Sequence, residues 1–314
     1  MIKLRYMLIG ILFAITLFIK LIANSQPLLV KHLGAYYVPI LINYSYQDFG
    51  FASTRTIDFN DELVVNAISK TGFIVYSLIK YDYKSITSEG YVKSLPPSTQ
   101  HLLGTTLDGR DVFAYLLYSI AILLWSGLFI TALSVVKALI LGVLQGYLGG
   151  YVDITMQRLY EISTSIPIIY VIFFFNNLIQ LNYLALGLLL SLLNWGFLMP
   201  YIRAITLQKS SQLCMQNLAS MDIPKMKIML KYLIPSVAKE IKSLIPFVYL
   251  TYFLILISAD FFNINSQDYD SPKLGQLVLL GLNNQDNIWV LASSCTAILC
   301  ISMLCLSFTF KRQN

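Results

Sequence analysis

Uncharged apolar blocks constrain this chain more than anything else in it. Residues 112–136 carry no charge, and residues 162–202 run 41 positions without one. Crossing a bilayer core takes about 20 helical residues at a rise of about 1.5 Å each. The first block is therefore one span, and the second is long enough for two. Residues 243–259 and 288–310 add a fifth and a sixth span, and KLRYMLIGILFAITLFIKLIAN at the start supplies the first. Charged residues make up only 12% of the chain, against about 25% in a soluble domain. The expected fold is an all-α polytopic membrane protein with six transmembrane helices.

Details within the blocks refine this. Lys3 and Arg5 precede the first apolar run, which fits either a cleaved signal peptide or a retained helix. Lys20 near its far end suits a retained helix whose lysine snorkels to the interface. A lysine at mid-membrane costs about 2.5–3.5 kcal/mol, so Lys137 reads as lying towards the cytoplasmic end, or else facing a wet cavity. GYLGGYVD, residues 146–153, makes a turn, and NNLIQLN, residues 176–182, is the expected reversal between the third and fourth spans. Pro167 and Pro246 are candidate hinges within spans.

Residues 24–112 are polar and tyrosine-rich, too long for a simple loop. They read as a small extramembrane segment between a 1–23 helix and a 113–314 membrane core. Charge placement orients the chain, because Lys and Arg collect on the cytoplasmic side. Residues 203–242 carry seven basic residues against Asp222 and Glu240, whereas residues 24–112 carry seven basic and eight acidic ones. Residues 263–287 carry one basic and three acidic. Both termini and the 203–242 loop are thus expected inside, and residues 24–112 outside. Topology accounts for the net charge of +6, so nucleic acid is not needed as a partner.

The side chains exclude several chemistries. His32 and His101 are far apart, and Cys295, Cys300 and Cys305 recur every five residues in the last apolar block. Neither pattern is a metal-ligand spacing or a disulfide framework, so no metal is expected. No GxxxxGK[ST] occurs, so the chain has no phosphate-binding loop of that kind. An intramembrane enzyme would need a nucleophile–base pair or metal cluster at membrane depth, and the residues for it are scarce.

The stretch NLASMDIPKMKIMLKYLIPSVAKEI, residues 217–241, is different in kind. Ile223, Met226, Leu230 and Leu233 recur at intervals of three and four, which places them on one helix face. Lys227 and Lys231 fall on another. Pro224 suits a first helical turn and disfavours helical geometry at Ile223. One helix should end near Met221 and a second begin, with Asp222 as its cap, and Pro235 should end or kink that second helix. Such a bracket either docks a cytoplasmic partner, lies on anionic lipid, or merely connects two spans.

Five segments carry a family resemblance. QNLASMDIPKMKIMLKYLIP resembles the coupling loop of ABC-importer permeases, whose pattern is EAA, glycine four residues on, then I and LP. Gln216, Asn217 and Leu218 take the EAA places, Asp222 the glycine, Tyr232 the isoleucine, and Ile234 and Pro235 the closing pair. HLLGTTLDGRDV, residues 101–112, resembles the LGTDxxGRDV segment before the second span of C-type dipeptide and oligopeptide permeases. It retains Leu103, Gly104, Thr105, Gly109, Arg110 and Asp111, with Thr106 in place of the aspartate. Residues 142–171, 21–50 and 258–284 are similar to the YejE-type branch of that family, which is associated with uptake of peptides and microcin C. At residues 263–267 the family's FLGFG is replaced.

The resemblance implies a type I ABC-importer permease fold with a small external domain after helix 1, in the bacterial inner membrane. It favours retaining the first helix. It also implies the partners: a homologous second permease, cytoplasmic ATPase subunits, a periplasmic peptide-binding protein and membrane lipid. ATP and Mg would be held by the ATPases, with no cofactor on this chain and no catalysis by it. Asn194, Trp195 and Asp260 are the candidates for the translocation path, and peptides or peptide-like compounds the expected cargo. The competing reading is a membrane receptor or assembly factor that uses residues 24–112 as an external sensor.

Overall fold

The computed structural model describes residues 2–59, 61–86, 94–179, 181–193, 198–221, 223–264 and 271–309. It opens with helices α1 (Ile2–Leu17) and α2 (Ile19–Ile22). Strands β1 (Leu29–His32) and β2 (Ala35–Tyr37), helix α3 (Glu62–Thr71) and strand β3 (Phe73–Val75) follow. The elements named after that are helices: α4 (Val112–Leu148), α5 (Gly150–Ser165), α6 (Ile168–Ile179), α7 (Tyr183–Leu193) and α8 (Met199–Ser210). Next come α9 (Leu213–Ser220), α10 (Lys225–Ile228), a π-helical turn over Met229–Leu233, and α11 (Ile234–Ile241). Helices α12 (Ile245–Phe261), α13 (Leu274–Asn283) and α14 (Ile288–Thr309) complete the chain. Contacts divide it into two compact units, residues 1–122 with 270–297 and residues 123–269 with 298–314.

The first unit corrects the all-α expectation. Its three antiparallel strands lie in the order β2–β1–β3, with Val30 opposite both Tyr37 and Ile74. Leu33 and Gly34, both at positive φ (48° and 84°), turn β1 into β2, the backbone sense that matches strand twist in a tight hairpin. Asp61 caps α3 by accepting the Leu63 N–H at 3.0 Å. Val30, Phe49, Ile57, Phe59, Val64 and Ile68 form the core under a rim of tyrosines. The buried His32 places Nδ1 2.7 Å from Thr71 Oγ1, joining sheet to helix.

The membrane helices depart from the expected spans at identifiable residues. The block at 112–136 continues as helix to Leu148 and stops only where Gly149 and Gly150 take φ of 61° and 56°. The turn expected at 146–153 is therefore there, three residues in. Helices α5 and α6 meet at a bend of 76°, because Pro167 forces Ile166 into extended geometry (φ −100°, ψ 121°). A bend of 67° separates the helix that ends at Ile241 from α12, which carries Pro246 in its first turn. Both candidate hinge prolines thus stand at breaks between helices rather than inside continuous spans. Asn176 Oδ1 accepts from Leu181 N–H at 3.0 Å and Asn182 Oδ1 from Ala185 N–H at 2.8 Å, which shapes the turn between α6 and α7.

Among the described residues, Val112–Leu148 and Ile288–Phe308 are long and apolar enough to cross a membrane alone. Counting each bent pair as one span raises that to four. Helix α7 and the apolar part of α1 are shorter pieces.

Candidate functional site

The amphipathic segment grows out of α8, whose Lys209 pairs with Glu240 of α11 at 2.5 Å. Helix α9 ends at Met221, as its sequence requires, and Pro224 stands at the N-cap of the next helix with φ −55° and ψ 131°. Gln216 and Asn217 are exposed and Leu218 is half-buried. Asp222 lies outside the described residues. From Lys225 to Ile241 the helix is continuous, so Pro235 does not end it. Proline cannot donate the usual bond to the fourth residue before it. Around that gap the ladder shifts, and Ile234 N–H bonds Met229 O in a π turn.

That turn corrects the expected apolar stripe. An extra residue in one turn rotates everything after it by about 100° relative to an uninterrupted helix. Leu233, expected beside Met226 and Leu230, instead joins Ile228, Met229, Val237 and Ile241 on the buried side. Met226 and Leu230 remain 54% and 57% exposed, as Met221 does at 67% and Leu213 at 77%. Ile223 and Tyr232 are half-buried, and Pro235 is exposed. The segment thus has one apolar face already covered and a second set of apolar knobs that is not.

The 101–112 motif is built in the opposite way. Gly104 and Gly109 both take φ of 74°. Gly109 N–H closes a turn onto Thr106 O at 3.0 Å, Thr106 N–H bonds Arg110 O at 2.9 Å, and Arg110 N–H bonds Thr106 Oγ1 at 3.2 Å. Thr105, fully buried, donates its N–H to Leu95 O and accepts the Leu95 N–H on Oγ1. Asp111 does two jobs. Oδ1 accepts Ala114 N–H at 2.8 Å, capping α4, and Oδ2 lies 2.8 Å from His101 Nδ1. Tyr81 stacks on the His101 ring at 4.6 Å. Leu103 is half-buried and packs no such network. The motif residues are brought together as a scaffold that starts α4.

Of the path candidates, Asn194 and Trp195 lie outside the described residues. Asp260 is fully buried in α12, and its Oδ1 accepts the Tyr183 hydroxyl at 2.7 Å. In this conformation it ties α7 to α12. Lys137 reaches Leu192 O at 2.9 Å, where the carbonyls at a helix C-terminus favour a cation.

Sequence reading passed over one cluster. Gly142 and Gly146, spaced four apart on α4, let α8 approach so closely that a Cβ at Gly142 would sit 2.6 Å from Ile202 Cγ2. At Gly146 it would sit 2.9 Å from Arg203 O. Beside them Arg203 grips Asp153 through both oxygens, at 2.6 and 2.5 Å, and Gln145 Nε2 adds a bond of 2.8 Å. The available signal was the GxxxG spacing, which marks close helix packing in membranes.

Comparison with known proteins accords with these features. Residues 138–312 match the family described as "Binding-protein-dependent transport system inner membrane component". The chain is 31% identical over 297 residues to the inner membrane ABC transporter permease protein YejE of Escherichia coli, covering 94% of this chain and 85% of that one. It is 25% identical to the peptidoglycan transport system permease protein YejE of Agrobacterium fabrum, over 89% of this chain and 80% of that one. The oligopeptide transport system permease protein OppC of Haemophilus influenzae is 28% identical over 48% of this chain and 46% of its own length. With a family match over more than half its length and a relative this similar over nearly all of it, the chain belongs to the inner-membrane permease components of binding-protein-dependent transport systems.

Proposed function

We infer that this chain is the membrane-embedded permease subunit of an ATP-driven importer that takes up peptides or peptide-like compounds across the bacterial inner membrane. The cargo class rests on relatives whose names specify oligopeptide, dipeptide and peptidoglycan transport. In this reading six spans cross the membrane with both termini in the cytoplasm. Residues 24–112 lie outside, where a peptide-binding protein delivers cargo. A homologous second permease completes the path, and two ATPases hold ATP and Mg on the inner side. ATP-driven closure of the ATPases carries the 203–242 loop with it, and tilting helices move the opening from one side to the other.

The observation that carries this reading is the uncovered set Leu213, Met221, Met226 and Leu230 on a basic segment whose other apolar face is already buried. Docking onto the ATPase would cover it. Two measurements test the function. Deleting the gene should abolish uptake of an isotope-labelled mixed-peptide digest, and the wild-type gene should restore it. In a background without the native cysteines, a single cysteine at Asn283 should react with an impermeant thiol reagent in intact cells, and one at Ser211 only after permeabilisation. Unchanged uptake in the deletion strain sinks the peptide reading, and labelling at position 211 from outside sinks the orientation.

A further inference from the structure

We propose that Gln145, Asp153 and Arg203 form the relay that passes movement of the 213–241 segment to the long helix α4. The proposal rests on the permease reading above and adds the residues through which it works. Helix α8 is the strut between the two: its far end leads through Ser211 and Gln212 directly into α9, and Lys209 pins it to Glu240 as the chain returns. Its middle is fastened to the end of α4 in two ways. The first is steric. Gly146 leaves no room for a Cβ between itself and the Thr206 Cβ, at 2.8 Å, or the Arg203 carbonyl, at 2.9 Å, so α8 cannot rotate or slide without displacing α4.

The second fastening is polar. The Arg203 guanidinium meets both Asp153 oxygens, a fork-to-fork arrangement that fixes direction as well as distance. Gln145 spans the Gly149–Gly150 break by donating to Asp153 Oδ1 at 2.8 Å and to the Asp153 carbonyl at 3.2 Å. Three helices, α4, α5 and α8, therefore converge on one carboxylate. Both glycines at the break sit at positive φ with open space around them, so the break supplies freedom and the Asp153 cluster restrains it.

A further detail supplies a place for a second arrangement. Gln145 is only 3% exposed, and its Oε1 has no hydrogen-bond partner. A buried acceptor left unmatched is costly. Next to it a cavity of about 110 Å³ is lined by Gln157 and Tyr160 of α5 together with Met199, Pro200 and Arg203 of α8. Rotation of α5 about the glycine break would bring the Gln157 amide or Tyr160 hydroxyl to Gln145 Oε1. That alternative would satisfy the acceptor, and in the proposed relay it is the arrangement towards which a moving α8 drives the cluster.

The test is hydrogen exchange on the purified complex with its ATPases and companion permease in nanodiscs, before and after trapping with ATP and vanadate. In the wild type, trapping should change protection both in residues 213–233 and in residues 138–150. In Asp153→Asn and Arg203→Lys, which keep size but lose the charged fork, the change at 213–233 should persist while that at 138–150 falls at least about fivefold. The exchanged pair Asp153→Arg with Arg203→Asp should restore part of it. A purely structural role would lower yield of the complex without separating the two regions. If both changes persist in Asp153→Asn and Arg203→Lys, or both vanish together in complexes that still assemble, the relay is wrong. If the wild type itself shows no nucleotide-dependent change at 213–233, the permease reading fails instead.

Discussion

The loop at 101–112 and the segment at 213–241 both resemble family motifs, yet they are built to opposite specifications. In the first, side chains and backbone satisfy one another: Thr105, Thr106, His101 and Asp111 are all buried and bonded. In the second, Gln216, Asn217, Met226 and Leu230 face outward, and none of them anchors the fold. A motif can be retained because the fold needs it or because a partner does. The number of internal bonds tells the two apart. In the 101–112 motif Gly104, Thr105, Gly109, Arg110 and Asp111 are each locked into a turn or a cap. The 213–241 segment can differ from the permease pattern it resembles at every EAA place and still fold.

Substitution at Gly104 should separate the two regions most strongly. A Cβ there would lie 2.6 Å from Leu95 O and 2.7 Å from Trp289 Nε1, at a φ of 74°. Left-handed backbone costs a non-glycine residue about 1–3 kcal/mol, and overpacking about as much again. Gly104→Ala should therefore lower the thermal midpoint of the detergent-solubilised protein sharply or abolish its accumulation. A midpoint within a degree of wild type would mean that the loop is not the rigid scaffold described.

Asp111→Ala comes next. It removes the cap of α4, worth about 1 kcal/mol, and strands His101 Nδ1, which adds about 1–3 kcal/mol for a buried unsatisfied group. Asp111→Asn should recover the cap, since its amide oxygen can accept Ala114 N–H, and so should melt between alanine variant and wild type. Equal midpoints for the asparagine and alanine variants would remove capping as the reason for the residue.

How much of this was legible in the sequence depended on what each signal can encode. Long uncharged blocks announced the membrane helices, and Gly149 with Gly150 announced the break. The cap at Asp111 was recognisable only through the family motif, because its second partner, His101, is brought to it by the turn between them. Strands β2 and β3, AYY and FIV, are too short for an alternating pattern to emerge. The apolar stripe was half-read. Periodicity assigns faces correctly along an unbroken α-helix, and Met226 and Leu230 share the exposed face as expected, whereas Ile223 precedes the helix that starts at Lys225 and is half-buried. Leu233 leaves that face, because the π turn before Pro235 resets the phase. Pro167 and Pro246 read as hinges within spans, and the structure places both at breaks between helices instead. The Asp153–Arg203 pair joins residues fifty positions apart, which no local pattern encodes.

The double substitution Met226→Ala with Leu230→Ala probes the other side of the comparison. Both residues are more than half exposed, so folding stability should change by less than about 0.5 kcal/mol. Binding should not be spared. Truncating a buried apolar anchor at an interface commonly costs more than about 1 kcal/mol. The variant should accumulate and melt like the wild type while losing its ATPase during purification, or hydrolysing ATP without transport. Retention of the ATPase with coupled transport would remove the docking reading. A loss of binding to anionic vesicles that salt reproduces would put lipid in its place.

The smallest effect is expected at Asp222, where the two regions trade rules. It stands at the family's glycine place, between the end of α9 at Met221 and the proline-led start of α10, in a segment that otherwise tolerates change. If the chain reverses there through backbone that aspartate accepts, Asp222→Gly and Asp222→Asn should transport like the wild type. Both residues enter left-handed geometry readily. Valine does not, because its branched Cβ crowds the backbone in that region. Asp222→Val should cost about 1 kcal/mol, read as a fivefold loss of transport. Equal activity of the valine and glycine variants would show that this position needs no special backbone. The docking knobs at Met226 and Leu230 would then be positioned by Pro224 alone, and Pro224→Ala would become the substitution that disorients them.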